Sequence, residues 1–234
     1  MNSTAWTVAK LNLRNLRVAW WITGVVFVLL VANVIVYWRV SASGVDLTTG
    51  SSIGFGNALW LMPVLAAIFI PAMNYRRIVN LGGRRAQYFW GVGVLYVLLA
   101  AGVSLVNAAL YYAADRPITD YGRMGGWWNL TQVFGWTDNG PLLAFVQQFA
   151  FLLLFTAFVN VLVLLQDKWY GIALDVVIIA IISVFTPIAP LRHALASFFH
   201  LVIFGQAGLQ ILACLVIAVV LYAATKPILA AKPI

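Results

Sequence analysis

Two histidines, His193 and His200, stand seven residues apart in this 234-residue chain, with Ser183 upstream and one cysteine, Cys214. All six acids are aspartates (Asp46, Asp115, Asp120, Asp138, Asp167 and Asp175), and glutamate is absent. A catalytic metal centre takes three or more converging ligands, more than two histidines and a stray aspartate supply, so we expect no metal site. A haem held between helices would need histidines on two facing spans, whereas both lie in one short segment. No G-x-x-x-x-G-K-[ST] phosphate loop is present, and H-E-x-x-H is impossible without glutamate. Ser183 and His193 could be imagined as nucleophile and base, but no G-x-S-x-G surrounds the serine. A single cysteine excludes an intramolecular disulfide. We therefore expect no catalytic residue and no cofactor on this chain, which is not an enzyme by itself.

The elements that carry these residues belong to a membrane. Hydrophobic residues make up 64% of the chain and charged residues 9%, against about 25% charged in soluble domains. Mean hydropathy is +0.97. A helix crosses a bilayer with about 20 apolar residues, and continuous apolar runs predict six such helices, near 19–38, 57–75, 88–112, 143–165, 169–189 and 204–225. The runs do not alternate, which argues against a β-barrel. No cleavable signal peptide is evident, because the first apolar run starts late and runs long. The fold class expected is all-α and polytopic, one transmembrane domain over 1–234, with both termini cytoplasmic.

That topology sorts the charge. Lys10, Arg14, Arg17, Arg76, Arg77, Arg84, Arg85, Lys168, Lys226 and Lys232 fall inside, and Arg39, Arg116, Arg123 and Arg192 outside. The bias follows the positive-inside rule. Four outer aspartates cancel the four outer cations, so the whole net charge of +8 is cytoplasmic. Attraction to anionic lipid accounts for most of it, and no nucleic-acid partner is expected.

Four segments are not simple spans. Residues 1–18 carry Lys10, Arg14 and Arg17 on one helical stripe, with Trp6, Leu13 and Leu16 elsewhere; an interfacial helix on the inner leaflet is expected, the alternative being a basic retention signal for the first span. The inner loop 76–88 holds four arginines around Gly82-Gly83, a sharp-turn pair. Arg84 is expected to open the next helix, where positive charge opposes the helix dipole, so something must favour it there, either anionic lipid or a protein partner. The outer loop 113–142, rich in Trp and Gly, predicts a packed cap or a leaflet-hugging turn. Beyond Pro187 and Pro190, which end the fifth span, 187–203 predicts an outer re-entrant or interfacial segment, which needs protein or water around its backbone. Pro63 and Pro71 predict a kink in the second span. Asp175, about 9 Å into the fifth span, is either functional by default or a snorkelling acid paired with Lys168.

Three passages carry a family resemblance: 10–17 (KLNLRNLR), 80–91 (NLGGRRAQYFWG) and 187–200. In this order they resemble the permease subunit of type-2 ATP-binding-cassette (ABC) exporters. The second is similar to the family's Gly-x-x-Arg-x-x-aromatic run, here Gly82, Arg85 and Tyr88, which opens the coupling helix and third span; the third resembles its outer re-entrant helices. The resemblance implies a dimer with a second permease copy or paralogue, in the cell membrane among lipid. It implies a separate ABC ATPase subunit, carrying ATP and Mg, that docks on Asn80, Leu81, Gly82, Gly83, Arg84, Arg85, Gln87 and Tyr88 and on Lys10, Arg14 and Arg17. It further implies a translocation path lined by Asn33, Asn57, Trp60, Met62, Asp175, Ser183 and Thr186. The abundance of Phe, Trp and Leu suggests an apolar or amphipathic cargo, such as a drug, lipid or peptide. The inner loop departs from the family in carrying arginines without an acid, which acidic grooves on the ATPase could receive. Two other readings stand beside this one: a self-contained membrane enzyme acting on lipid, and a non-catalytic membrane or immunity subunit.

Overall fold

A computed structural model describes residues 3–43, 51–117, 126–166, 169–185 and 188–231. It is an all-α polytopic membrane fold. Among the described residues, five helical stretches are long and apolar enough to cross a bilayer: Arg17–Tyr37, Phe55–Asn80, Arg85–Asp115, Pro141–Leu165 and Ala207–Ala231.

The chain starts with α1 (Ser3–Asn15) and turns at Leu16 into α2 (Arg17–Ala42). The second stretch is not one regular helix. A 3₁₀ segment (Phe55–Trp60) leads into α3 (Leu61–Phe69), a π-turn (Ile70–Asn74) and α4 (Tyr75–Asn80). The prolines explain this pattern. Pro63 sits in the first turn of α3, where a missing N–H is tolerated, and Pro71 falls in the π-turn, which absorbs the lost backbone bond. Helix α5 (Arg85–Leu110) runs back across the bundle and ends in a second π-turn (Tyr111–Asp115).

The described parts of the loop expected outside pack against the bundle. Strand β1 (Ser51–Ile53) pairs in parallel with β2 (Gly126–Trp128), a small departure from the all-helical expectation. Helix α6 (Leu130–Val133) and a 3₁₀ turn (Trp136–Asn139) follow and lead to α7 (Pro141–Leu165). Trp136 is buried there and Trp128 is exposed, so this part of the expected outer loop is a packed cap. Next come α8 (Trp169–Phe185), α9 (Ala189–Phe199) with its π-turn (His200–Phe204), and α10 (Ala207–Ala231). The expected re-entrant segment is therefore helical from Ala189, with a break at Gly205.

Two packed clusters hold the bundle. One joins α1, α3, α5 and α7 through Val8, Met62, Tyr88, Leu95 and Leu152. The other joins α7 to α10 through Ala150, Leu154, Cys214 and Ala218. Tyr96 Oη donates to Asn160 Oδ1 at 2.8 Å, tying α5 to α7. The turn before α10 meets its polar demands internally: the Val202 carbonyl accepts from Gln210 at 3.1 Å and the Ile203 carbonyl from the Trp136 indole at 2.8 Å. Backbone that leaves helical geometry at membrane depth needs such protein partners.

Candidate functional site: the inner basic platform

The ends of four elements, expected on the inner side, are bound into one platform. In α1 the buried stripe is Ala5, Val8, Ala9, Asn12 and Leu16. Trp6, Leu11 and Leu13 are exposed, so α1 docks through small residues rather than through its largest ones. The reason lies on α5: a Cβ on Gly91 would come 2.7 Å from Val8 Cβ and 2.8 Å from the Ala5 carbonyl oxygen. Only glycine at 91 and small residues on α1 permit that approach, and close packing of this kind suits dispersion contacts.

The π-turn locks the arrangement. It presents Asn74 to α1, where Asn74 Nδ2 donates to Asn12 Oδ1 at 2.9 Å. Asn12 Nδ2 in turn donates to the Val8 carbonyl at 3.0 Å. The Ile70 carbonyl, at the start of the π-turn, accepts from Tyr88 Oη at 3.3 Å. Tyr75 Oη donates to the Leu229 carbonyl at 3.1 Å, bringing the end of α10 into the platform. Tyr75 and Tyr88 meet edge to face with centroids 5.2 Å apart.

The Gly-Gly turn closes α4 and opens α5. Gly82 has φ +85°, the Gly82 N–H donates to Val79 O at 2.9 Å, and the Gly83 N–H donates to Ile78 O at 3.0 Å. This is a Schellman stop, whose left-handed residue favours glycine. The Gln87 side chain then accepts from the Arg84 N–H at 3.1 Å, satisfying a donor at the start of α5. Residues 76–88 thus hold two helix ends around a tight turn, with no separate coupling helix of the kind the family run implied.

Arg85, not the expected Arg84, is the first residue of α5, with Arg84 as its N-cap. The Arg85 guanidinium donates to the Ala230 carbonyl at the end of α10, where the helix dipole is negative. Lys10 lies 5.5 Å from the Trp6 ring centroid, a cation–π contact. Arg14, Arg17, Arg77 and Arg84 are exposed, and so are Asn80, Leu81 and Gly82. Segments 3–17 and 75–90 contain no acid, so the platform presents a single sign of charge to its surroundings. Of the residues expected to meet a partner, Tyr88 is buried and positions the turn instead of facing outward.

The residues expected to line a path are dispersed. Asn33 and Ser183 lie on exposed faces of α2 and α8. Met62 is buried in the core. Trp60 stacks on Trp136, with centroids 6.0 Å apart and planes at 11°. Asn57 acts as a clamp: its Nδ2 donates to the Trp128 carbonyl at 2.7 Å and its Oδ1 accepts from the Leu130 N–H at 3.0 Å. Asp175 is half-buried and accepts from the Gln166 side chain. Its expected partner Lys168, and Thr186, lie outside the described residues. His193 and His200 are both exposed, and no group of three metal-ligating side chains occurs among the described residues.

Asp115 was not singled out from sequence, yet it anchors the outer end. It is fully buried and accepts from the Phe55 N–H at 3.3 Å and from Asn129 Nδ2. Asn129 Oδ1 also accepts from the Thr131 N–H at 3.0 Å, capping α6. The available signal was an acid closing an apolar span with asparagine and glycine on the facing segments.

No family model, curated protein or solved structure matches this chain. What the inner platform can do follows from its own chemistry. It is a rigid cationic surface, built on buried amide and tyrosine hydrogen bonds, that suits an acidic protein groove or anionic headgroups.

Proposed function

We propose that this chain is the permease subunit of an ABC exporter, driven by a separate ATPase that docks on the inner platform. One observation carries the reading: α1, the Gly82–Gly83 turn and the end of α10 are fixed to one another through Asn12–Asn74, Tyr75–Leu229 and Arg85–Ala230. A push delivered to this surface is passed to α1, the second span, α5 and α10 together. An interfacial helix held only by lipid would not transmit it.

The reading assigns six crossings, with both termini cytoplasmic. The fifth is α8, of which 17 residues are described. Helices α2 and α8 leave most of their apolar side chains uncovered, among them Val28, Leu29, Ile172 and Ile179. That supports a second permease copy or paralogue against these faces, with Asn33 and Ser183 at the seam and an apolar or amphipathic cargo moving along it. The membrane is the cell membrane, and ATP and Mg bind the ATPase.

Reconstitution tests the reading. The complex purified from its native membrane and placed in vesicles moves a hydrophobic dye only when ATP and Mg reach the ATPase side. Equal movement without nucleotide, or by the isolated chain, contradicts it.

A further inference from the structure

The outer half of the bundle contains polar side chains that the protein leaves unpaired. Asn107 and Gln148 are fully buried, and neither amide finds a hydrogen-bond partner among the described residues at its nitrogen or its oxygen. Flipping either amide only exchanges two unpaired atoms, so the finding does not depend on how the amides are assigned. The Trp60 Nε1 and Ser104 Oγ are buried and unpaired as well.

These groups converge on one element. Asn107 lies eleven residues outward of Tyr96, and Gln148 twelve residues outward of Asn160; with the Tyr96–Asn160 bond as a common level, both amides sit roughly 16–18 Å beyond it. Asn107 faces the 3₁₀ segment so closely that a Cβ on Gly56 would fall 1.3 Å from its Oδ1. Gln148 is three residues from Phe151, hence on the same face of α7, and Phe151 packs on Trp60 with centroids 5.8 Å apart. Ser104 is one turn from Asn107 on α5. The Gly56–Trp60 segment is therefore flanked by unpaired donors and acceptors from both sides.

Each such group is costly to leave unpaired in a dry interior. All are neutral, none is ionisable, and together they offer both donors and acceptors. That is the chemistry of a water site, which takes two to four polar partners, and not of a cation or anion site. We propose that Asn107, Gln148 and the Trp60 indole hold internal water against the 3₁₀ segment of the second span. The water supplies alternative partners for the backbone groups of Phe55–Trp60, so that this segment changes pitch without exposing unpaired N–H groups to lipid. The inference stands on the unpaired groups and does not depend on the transport reading.

Radiolytic hydroxyl-radical labelling of the full chain in nanodiscs tests it, because buried side chains react only beside bound water. Normalised for intrinsic reactivity, Met62, two residues from Trp60, labels well above Tyr96, which is equally enclosed but has its hydroxyl paired. The double variant Asn107→Leu, Gln148→Leu loses the labelling of Met62 and lowers that of Trp60, with Tyr96 unchanged. Met62 labelling at the Tyr96 level in the natural chain overturns the proposal whether or not the variant folds. So does labelling that persists in a folded variant.

Discussion

Asn74 donates to Asn12 Oδ1 at 2.9 Å, a buried amide pair that joins residues 62 positions apart in sequence. It fastens α1 to the π-turn of the second span, and it does so where Pro71 has already taken the helix out of regular geometry. The platform's rigidity rests on this contact more than on its charge.

Replacing Asn74 by Ala leaves the Asn12 amide oxygen buried without its donor. We expect a loss of about 1–3 kcal/mol, seen as a lower Tm in nanodiscs and as faster tryptic cleavage at Arg14 and Arg17. The Asn12→Ala, Asn74→Ala double variant loses less than the sum of the singles, since residues in contact couple.

Two glycines of α5 predict opposite outcomes. Gly91→Ala places a methyl against Val8 and the Ala5 carbonyl, and overpacking of this kind costs about 1–3 kcal/mol. Gly102 has nothing within 4 Å of the added methyl, so Gly102→Ala stabilises by up to about 1 kcal/mol through backbone entropy. Thermal unfolding of the two variants side by side checks both signs.

Gly82→Ala forces a methyl into φ +85°, which costs about 1–2 kcal/mol for an L-residue. The Gly82 and Gly83 bonds to Val79 and Ile78 loosen with it. Hydrogen exchange at residues 82 and 83 should accelerate while exchange in α7 is unchanged.

Asn57→Ala separates a clamp from a path-lining role. The clamp reading predicts faster exchange over 126–133, where the Trp128 and Leu130 partners are lost, with cargo preference unchanged. A shifted cargo preference with an intact cap would assign Asn57 to the path.

Apolar run lengths revealed most of the bundle, because burial in lipid leaves a compositional trace. Gly82-Gly83 and the prolines marked their turns for the same local reason. The docking face of α1 was hidden: Ala5, Val8, Ala9 and Asn12 form a weakly hydrophobic stripe, and its fit depends on Gly91, 75 or more residues away. The acceptor of Arg85, the Ala230 carbonyl, was hidden too, because a backbone atom has no sequence signature. Asp115 and Asn129 looked like loop residues, since their pairing is visible only once the cap is folded.

The central claim is that an ATPase docks on the inner platform, and co-purification measures this directly. Intact chain is captured from its native membrane, in natural form and as Arg14→Glu, Arg84→Glu, two positions whose side chains are exposed. The account predicts that an ABC ATPase is recovered with the natural chain and lost with the charge-reversed one, while both keep the same Tm. Absence of any ATPase from the natural chain, or equal recovery with the folded variant, would contradict it.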